Sequence, residues 1–356
     1  MRAAVLHAPH DLRVEDRPEP SCPDGGVVVE VHYNGLCGTD ATEYAKGPMM
    51  VPLTVAHPGS GHVGPTILGH EFIGTVVEAG AAHQGWLGRR VASGAGVWCG
   101  DCRWCRQGRT NLCARYYTLG LSTHGGLAER VAVPAQTLRA IPKGCPDLDA
   151  ALAQPLAVGL HAVARAGVRP GDRVVVLGAG AIGSFILAGL AGLNGGAGHD
   201  GPVTALDIDP SRLTVAGALG ATTTQLIDRD ATEADLRALV GDGADVVVES
   251  SGVPGAAGRA IAMAARGGTV LLVGLTKVAQ PLNLADLVLR EVDLRTTVAH
   301  VCDTDLSTAL DLLDRKRLAA LLVDRVVPLD DVVQGGFEPL VAGAATGKLL
   351  VDPRRG

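Results

Sequence analysis

The sequence predicts an α/β protein in two parts: a β-rich domain and a doubly wound parallel sheet. Three observations predict it. Gly is abundant, at 48 of 356 residues, while aromatics make up 3%. Tight turns and closely packed α/β units suit that composition better than an aromatic-rich all-β fold. Near residue 156 the pattern changes, from short alternating strands broken by Gly and Pro to apolar strands that alternate with helices. Within the second pattern, a short apolar strand (173–177) runs into Gly178-Ala-Gly-Ala-Ile-Gly183 and then into an apolar helix. The length fits two domains, and 47% hydrophobic residues suffice for two cores.

Charge and composition exclude several functions. The net charge is −6 with no long basic run, so nucleic acid is not expected as a partner. No run of about 18 apolar residues predicts a membrane span. Residues 1–7 lack the apolar core and cleavage site of a secretory signal, which points to the cytoplasm. Of eight cysteines, four cluster at metal-ligand spacing, whereas Cys22, Cys145 and Cys302 have no partner at such spacing.

In the first part, strands are expected over 27–32, 72–78 and 127–133. Residues 47–65, rich in Pro and Gly, read as a surface excursion with His57 and His62 solvated. Cys37, between Gly35 and Gly38, offers a soft thiolate suited to Zn²⁺, and Thr39 could pass a proton from an oxygen at that metal. Gly69-His70-Glu71 precedes a strand and can place two ligands on one ion. Taken alone, such a pair is more often a buried histidine beside a carboxylate than a ligand pair. Cys99, Cys102, Cys105 and Cys113 form C-x2-C-x2-C-x7-C in a loop with Gly100 and Gly108. Four sulfurs so spaced converge tetrahedrally on a structural zinc and leave no position open to substrate.

In the second part a helix is expected over 157–166. The run Gly178, Gly180, Ala181, Ile182 and Gly183, between a buried strand and a helix, is a dinucleotide-phosphate turn. The glycines allow the tight turn, the approach of the pyrophosphate and helix–strand packing. Strand 203–207 ends in Asp207, whose carboxylate suits two ribose hydroxyls and repels a 2′-phosphate, favouring NAD over NADP. Arg212 stands close by in sequence, Asp209 reads as a helix cap, and 194–201 as an inserted loop. Strands 244–249 and 269–274 end in turns that carry Ser250, Gly274 and Leu275, expected to line the cofactor. From about 296 the chain returns to the first domain, with closing strands at 323–328 and 347–352. The domains expected are therefore 1–155 with 296–356, and 156–295.

With these pieces placed, nearly the whole chain resembles the zinc-dependent medium-chain dehydrogenase/reductase superfamily. The resemblance rests on Gly35-Leu-Cys-Gly-Thr-Asp40, Gly69-His-Glu-Phe72, the four-cysteine loop, Gly125-Gly-Leu-Ala-Glu129, Gly178–Gly183 and Gly347-Lys348. The long excursion before Gly69 is most similar to the butanediol and sorbitol dehydrogenase branch. The resemblance implies a GroES-like catalytic domain, a Rossmann domain, two zinc ions and NAD. It implies a homodimer or homotetramer acting on a small polar alcohol. It makes Cys37, His70 and Glu71 the catalytic zinc ligands and Thr39 the proton relay. Relatives often carry Glu at position 154 and a relay histidine at position 42; here these are Gln154 and Thr42.

The reaction so implied is oxidation of a secondary alcohol, within a polyol, a vicinal diol or a cyclitol, deoxy-scyllo-inosamine of antibiotic biosynthesis being one example. Glu43, Tyr44, His57 and His300 are possible substrate contacts. An enzyme similar to L-threonine 3-dehydrogenase is the alternative within the family. A non-catalytic NAD-binding protein is the alternative outside it. Because Cys⁻, neutral His and Glu⁻ already balance Zn²⁺, a neutral Gln154 is expected to leave the metal more electrophilic than a glutamate would.

Overall fold

The computed structural model describes residues 1–196, 198–276 and 278–355. Contacts divide the chain into two compact units, Met1–Ala157 with His300–Gly356, and Val158–Ala299.

The first unit is organised by Gly26–Gly35, a strand whose Val27, Val28, Val29 and Val31 are fully buried. It pairs antiparallel with Glu71–Ala79, with Arg130–Pro134 and with Lys348–Asp352. Val323–Pro328 joins the last of these in parallel, and Arg90–Ser93 and Leu138–Ala140 extend the opposite side. An early strand and the last strand of the chain thus pair in one sheet. A second sheet pairs Arg2–Ala8 with Asp11–Asp16 and Thr66–Ile67. The strand expected at 127–133 is instead Arg130–Pro134, and residues 127–129 lie outside it. Leu127 donates its amide to Leu68 O and accepts from Ala4, across to a different sheet.

The excursion at 47–65 differs from expectation. His57 and His62 are half-buried instead of solvated. His57 Nδ1 accepts the amides of Gly59 and Ser60 at 3.1 and 3.2 Å. His62 Nε2 lies 2.9 Å from Thr66 Oγ1, whose own hydroxyl donates to Gly64 O, so His62 donates through Nε2. Its ring meets that of His124 at 4.6 Å, and His124 Nδ1 accepts the Ile67 amide. Glu43, a possible substrate contact on sequence grounds, is buried and accepts the amides of Met49 and Met50 at 2.9 and 2.8 Å. Its carboxylate anchors the excursion.

The second unit is a parallel six-stranded sheet in the order Thr223–Leu226, Val203–Asp207, Val174–Leu177, Ala244–Glu249, Ala264–Leu272, Asp293–Thr296. All four residues of Val174–Leu177 are buried, as an interior strand covered on both faces requires. The order reverses direction beside this strand. Ligands of such sheets bind at that switch point, beyond the carboxyl ends of the strands. Helix Ala181–Gly196 extends into the segment expected as an inserted loop; of that segment, Ala197 lies outside the described residues.

Candidate active site

Strand register assembles the first cluster. Gly35 lies opposite Glu71 on one side and opposite Leu350 on the other, so three segments remote in sequence meet at one strand end. A Cβ on Gly35 would stand 2.4 Å from Glu71 Oε2; glycine leaves room for the carboxylate. Two residues on, Cys37 is the N-cap of helix Gly38–Lys46. Asp40, in the first turn of that helix, accepts the Cys37 amide at 3.0 Å through Oδ2. Gly69 turns the chain at φ +96°, and a Cβ there would sit 2.5 Å from Asn34 Oδ1.

The donor atoms of Cys37, His70 and Glu71 lie within 4.8 Å of one another. His70 and Glu71 are 6% and 2% exposed. His70 Nδ1 is 3.2 Å from Asp40 Oδ1, which leaves Nε2 as the free ligand nitrogen. Both oxygens of Glu71 face Lys348 Nζ, at 2.7 and 3.0 Å, and Nζ also donates to Leu36 O.

Charge in this pocket is ordered. Burial disfavours the His70 imidazolium, but Asp40 and Cys37 outweigh it and hold the pKa well above the usual histidine value. Burial likewise opposes the Lys348 ammonium, and Glu71, Cys37 and Asp40 outweigh it. In their metal-ligating forms Cys37 is a thiolate, Glu71 a carboxylate and His70 a neutral imidazole, and with the Asp40 carboxylate and the Lys348 ammonium beside them the set carries two negative charges. One dication balances it, so the residues present fit a zinc ion.

Asp40 and Lys348 are the members that sequence reading left without a role. The Cys37-x-x-Asp40 spacing carries a signal for the first, because the third helical residue can reach back to the N-cap amide. Lys348, in an otherwise apolar strand, is an oddity whose partner the sequence does not name. Thr39 is half-buried, its Oγ1 3.9 Å from Cys37 Sγ. Gln154 is half-buried in the first turn of helix Ala153–Ala166. Thr42 donates to Gly38 O at 2.8 Å. Tyr44 donates to Glu338 at 2.6 Å, and burial together with that bond pushes its phenol up to about 12. His300 is buried.

Cys99, Cys102, Cys105 and Cys113 also bring their sulfurs within 4.8 Å of one another. The closest pairs are Cys99–Cys113 at 3.4 Å and Cys102–Cys105 at 3.5 Å. Backbone amides of Cys105 and Ala114 lower the Cys102 thiol to about 6, toward the thiolate a metal requires.

In the second unit the Gly178 turn faces the N-terminus of helix Ala181–Gly196. A Cβ on Gly183 would stand 1.9 Å from Gly178 O, so strand and helix can close only with glycine there. At Gly180 the nearest atom to such a Cβ is Arg212 Nη1 at 3.8 Å, which leaves space for a phosphate. Asp207 is buried; Oδ2 accepts Ala179 N at 2.7 Å and Oδ1 accepts Asp209 N at 2.9 Å. Arg212 Nη1 lies 3.7 Å from Asp207 Oδ1. Asp209 caps helix Pro210–Ala218 through Ser211 N. Ser250 Oγ donates to Gly178 O at 2.6 Å, so this hydroxyl braces the turn. Gly274 packs on Gly252, and Leu275 is exposed.

Residues 23–143 match the family model of the alcohol dehydrogenase GroES-like domain, and residues 181–315 match that of zinc-binding dehydrogenases. A sorbitol dehydrogenase of Halalkalibacterium halodurans is 34% identical, over 90% of this chain and 90% of its own. The crystal structure of 2R,3R-butanediol dehydrogenase from Bacillus subtilis superposes with a TM-score of 0.89 at 30% identity, covering 99% of each chain. A zinc-binding dehydrogenase from Sinorhizobium meliloti 1021 bound to NADP has a TM-score of 0.84 at 30% identity, again covering 99% of each chain.

Proposed function

This chain belongs to the zinc-dependent alcohol dehydrogenase family as an alcohol or polyol oxidoreductase, and we propose that it oxidises one secondary hydroxyl of a polar, multiply hydroxylated substrate to a ketone with NAD. A cyclitol or aminocyclitol, such as deoxy-scyllo-inosamine of antibiotic biosynthesis, is the substrate class we favour; a vicinal diol or linear polyol belongs to the same reading. The observation that carries it is the convergence of Cys37, His70 and Glu71 in a pocket whose charge calls for one dication.

In this reading Cys37 Sγ, His70 Nε2 and a Glu71 oxygen hold the zinc. When bound, the metal supplies Lewis acidity toward the substrate hydroxyl and the dinucleotide supplies the hydride acceptor. Asp40 fixes the His70 ring and its tautomer. Lys348 holds Glu71 in place from the opposite side. The Thr39 hydroxyl would accept the substrate's hydroxyl proton while passing its own on toward solvent. Thr42 has no basic nitrogen and its hydroxyl is committed to Gly38 O, so it does not continue the relay as a histidine would. Gln154 offers hydrogen bonds and no charge. Gly178–Gly183 take the pyrophosphate of the dinucleotide, while Asp207 and Arg212 flank its adenosine ribose. Four thiolates from Cys99 to Cys113 hold the second, structural zinc. We assign the chain to the cytoplasm as a homodimer or homotetramer; among the described residues, no helix is long and apolar enough to cross a membrane.

The test is dinucleotide reduction with a panel of diols, polyols, inositols, aminocyclitols and threonine, each with NAD and with NADP. The expected outcome is turnover of at least one cyclitol or polyol, with NAD far ahead of NADP in kcat/KM. Turnover of threonine alone would replace this reading with the amino-acid one. Equal kcat/KM for the two dinucleotides would remove Asp207 from its role.

A further inference from the structure

Two buried carboxylates end the strands that flank Val174–Leu177, Asp207 on one side and Glu249 on the other. Each draws backbone amides toward itself. Asp207 takes those of Ala179 and Asp209. Glu249 Oε1 accepts Ser251 N at 2.7 Å, Ser251 Oγ at 2.5 Å and Gly252 N at 2.9 Å. Its Oε2 lies toward the next turn: a Cβ on Gly274 would stand 2.7 Å from that oxygen and 2.2 Å from Gly252 N. The carboxylate therefore sits where the turns after two neighbouring strands close on each other. At 2% exposure it is the acceptor these donors have in place of water.

The turn it holds is tied to the dinucleotide turn. Gly252 takes φ +65°, and a Cβ on Gly178 would stand 3.1 Å from Ser251 N. Ser250, one residue from Glu249, donates its hydroxyl to Gly178 O. A dinucleotide lies across the switch point of such a sheet, one mononucleotide half on each side. Asp207 stands on the adenosine side, so Glu249 stands on the nicotinamide side.

We propose that Glu249 is a positioning residue for the nicotinamide half of the cofactor: it fixes residues 250–252 in the shape that receives that half. The inference rests on the reading of the second unit as the NAD site. It has a signature that loosening of the whole unit lacks. Removing Glu249 should weaken ligands that carry the nicotinamide half and spare those that carry only the adenosine half.

The experiment measures binding of NADH, by its fluorescence, and of AMP, by calorimetry, to the zinc-loaded enzyme. Glu249→Ala should bind NADH roughly tenfold more weakly, about the worth of one hydrogen bond to a charged group, spent on reordering the turn. Its AMP affinity should stay within about twofold of the parent, as for a site without shared partners. Glu249→Gln keeps one acceptor oxygen and should fall between Glu249→Ala and the parent for NADH. Unchanged NADH binding in Glu249→Ala, or equal weakening of NADH and AMP, would overturn the inference. Should Glu249→Ala fail to fold, Glu249→Gln and Ser251→Ala decide: weaker NADH with unchanged AMP upholds the inference, and unchanged NADH in both overturns it. A parent enzyme that binds neither ligand would instead overturn the reading of this unit as the NAD site.

Discussion

Residue by residue, chemistry in the first unit depends on who stands behind the ligands. Cys37, His70 and Glu71 are visible in the sequence as ligand types with glycine neighbours. Asp40 and Lys348 become visible only once the strands are paired, because Lys348 is 277 residues from the carboxylate it holds. This pair is buried on both sides, at 5% and 2% side-chain exposure, so breaking one half leaves an uncompensated charge. Lys348→Met is therefore expected to destabilise the chelator-treated protein by about 3 kcal/mol, read from urea unfolding. Lys348→Met with Glu71→Gln should cost clearly less than the sum of the single changes. Strict additivity would mean the two groups do not interact in solution. Asp207 shows the same division at another site. An acidic residue at a strand end is legible in the sequence, and its bond from Asp209 N is a local turn, but its partner Ala179 N, 28 residues away, is set by the parallel sheet.

Among the elements, the excursion at 47–65 is the segment that sequence composition described least well. Pro and Gly mark it as irregular, and irregular segments are commonly solvated. Here the backbone amides find side-chain acceptors instead, at Glu43 and at the histidines. His124, which packs on the His62 ring of this segment, carries a pH dependence whose sign follows from geometry. Burial, with His62 and Arg17 nearby, lowers His124 to about 4, and its Nδ1 must stay bare to accept Ile67 N. Unfolded, the same ring titrates near 6.5. Its contribution is thus complete above about pH 6.5 and is lost as pH falls toward 4, where the unfolded chain binds the extra proton. In urea unfolding at pH 7.5 and 5, the wild type should lose more stability than His124→Asn, whose amide oxygen can still accept the Ile67 amide. Equal losses would show that His124 does not titrate between folded and unfolded states. By contrast, Val174–Leu177, Val203–Asp207 and Ala244–Glu249 are predictable almost to the residue. Their predominantly apolar character, complete in Val174–Leu177, comes from burial on both faces, a constraint that acts locally on sequence.

For the molecule as a whole, two clusters that could hold a metal ion are assembled in the same unit by different means. The four-cysteine loop closes within fifteen positions, whereas the Cys37 cluster needs three strands from both ends of the chain. Metal analysis should find two zinc ions per chain, one in Cys37→Ser with turnover lost, and one in Cys102→Ser. A single zinc in the wild type, lost only with Cys102, would leave the Cys37 site without its metal role. What the sequence determined by itself is whatever local spacing encodes: the thiol loop, the glycine turn before an apolar helix, the wholly apolar strands and the ligand types at 37, 70 and 71. Tertiary structure alone decided that Asp40 faces His70 and that Lys348 faces Glu71. The physical reason is that a charge in low dielectric is stable only beside its partner, and pairing across a sheet is set by strand register, which no short stretch of sequence contains.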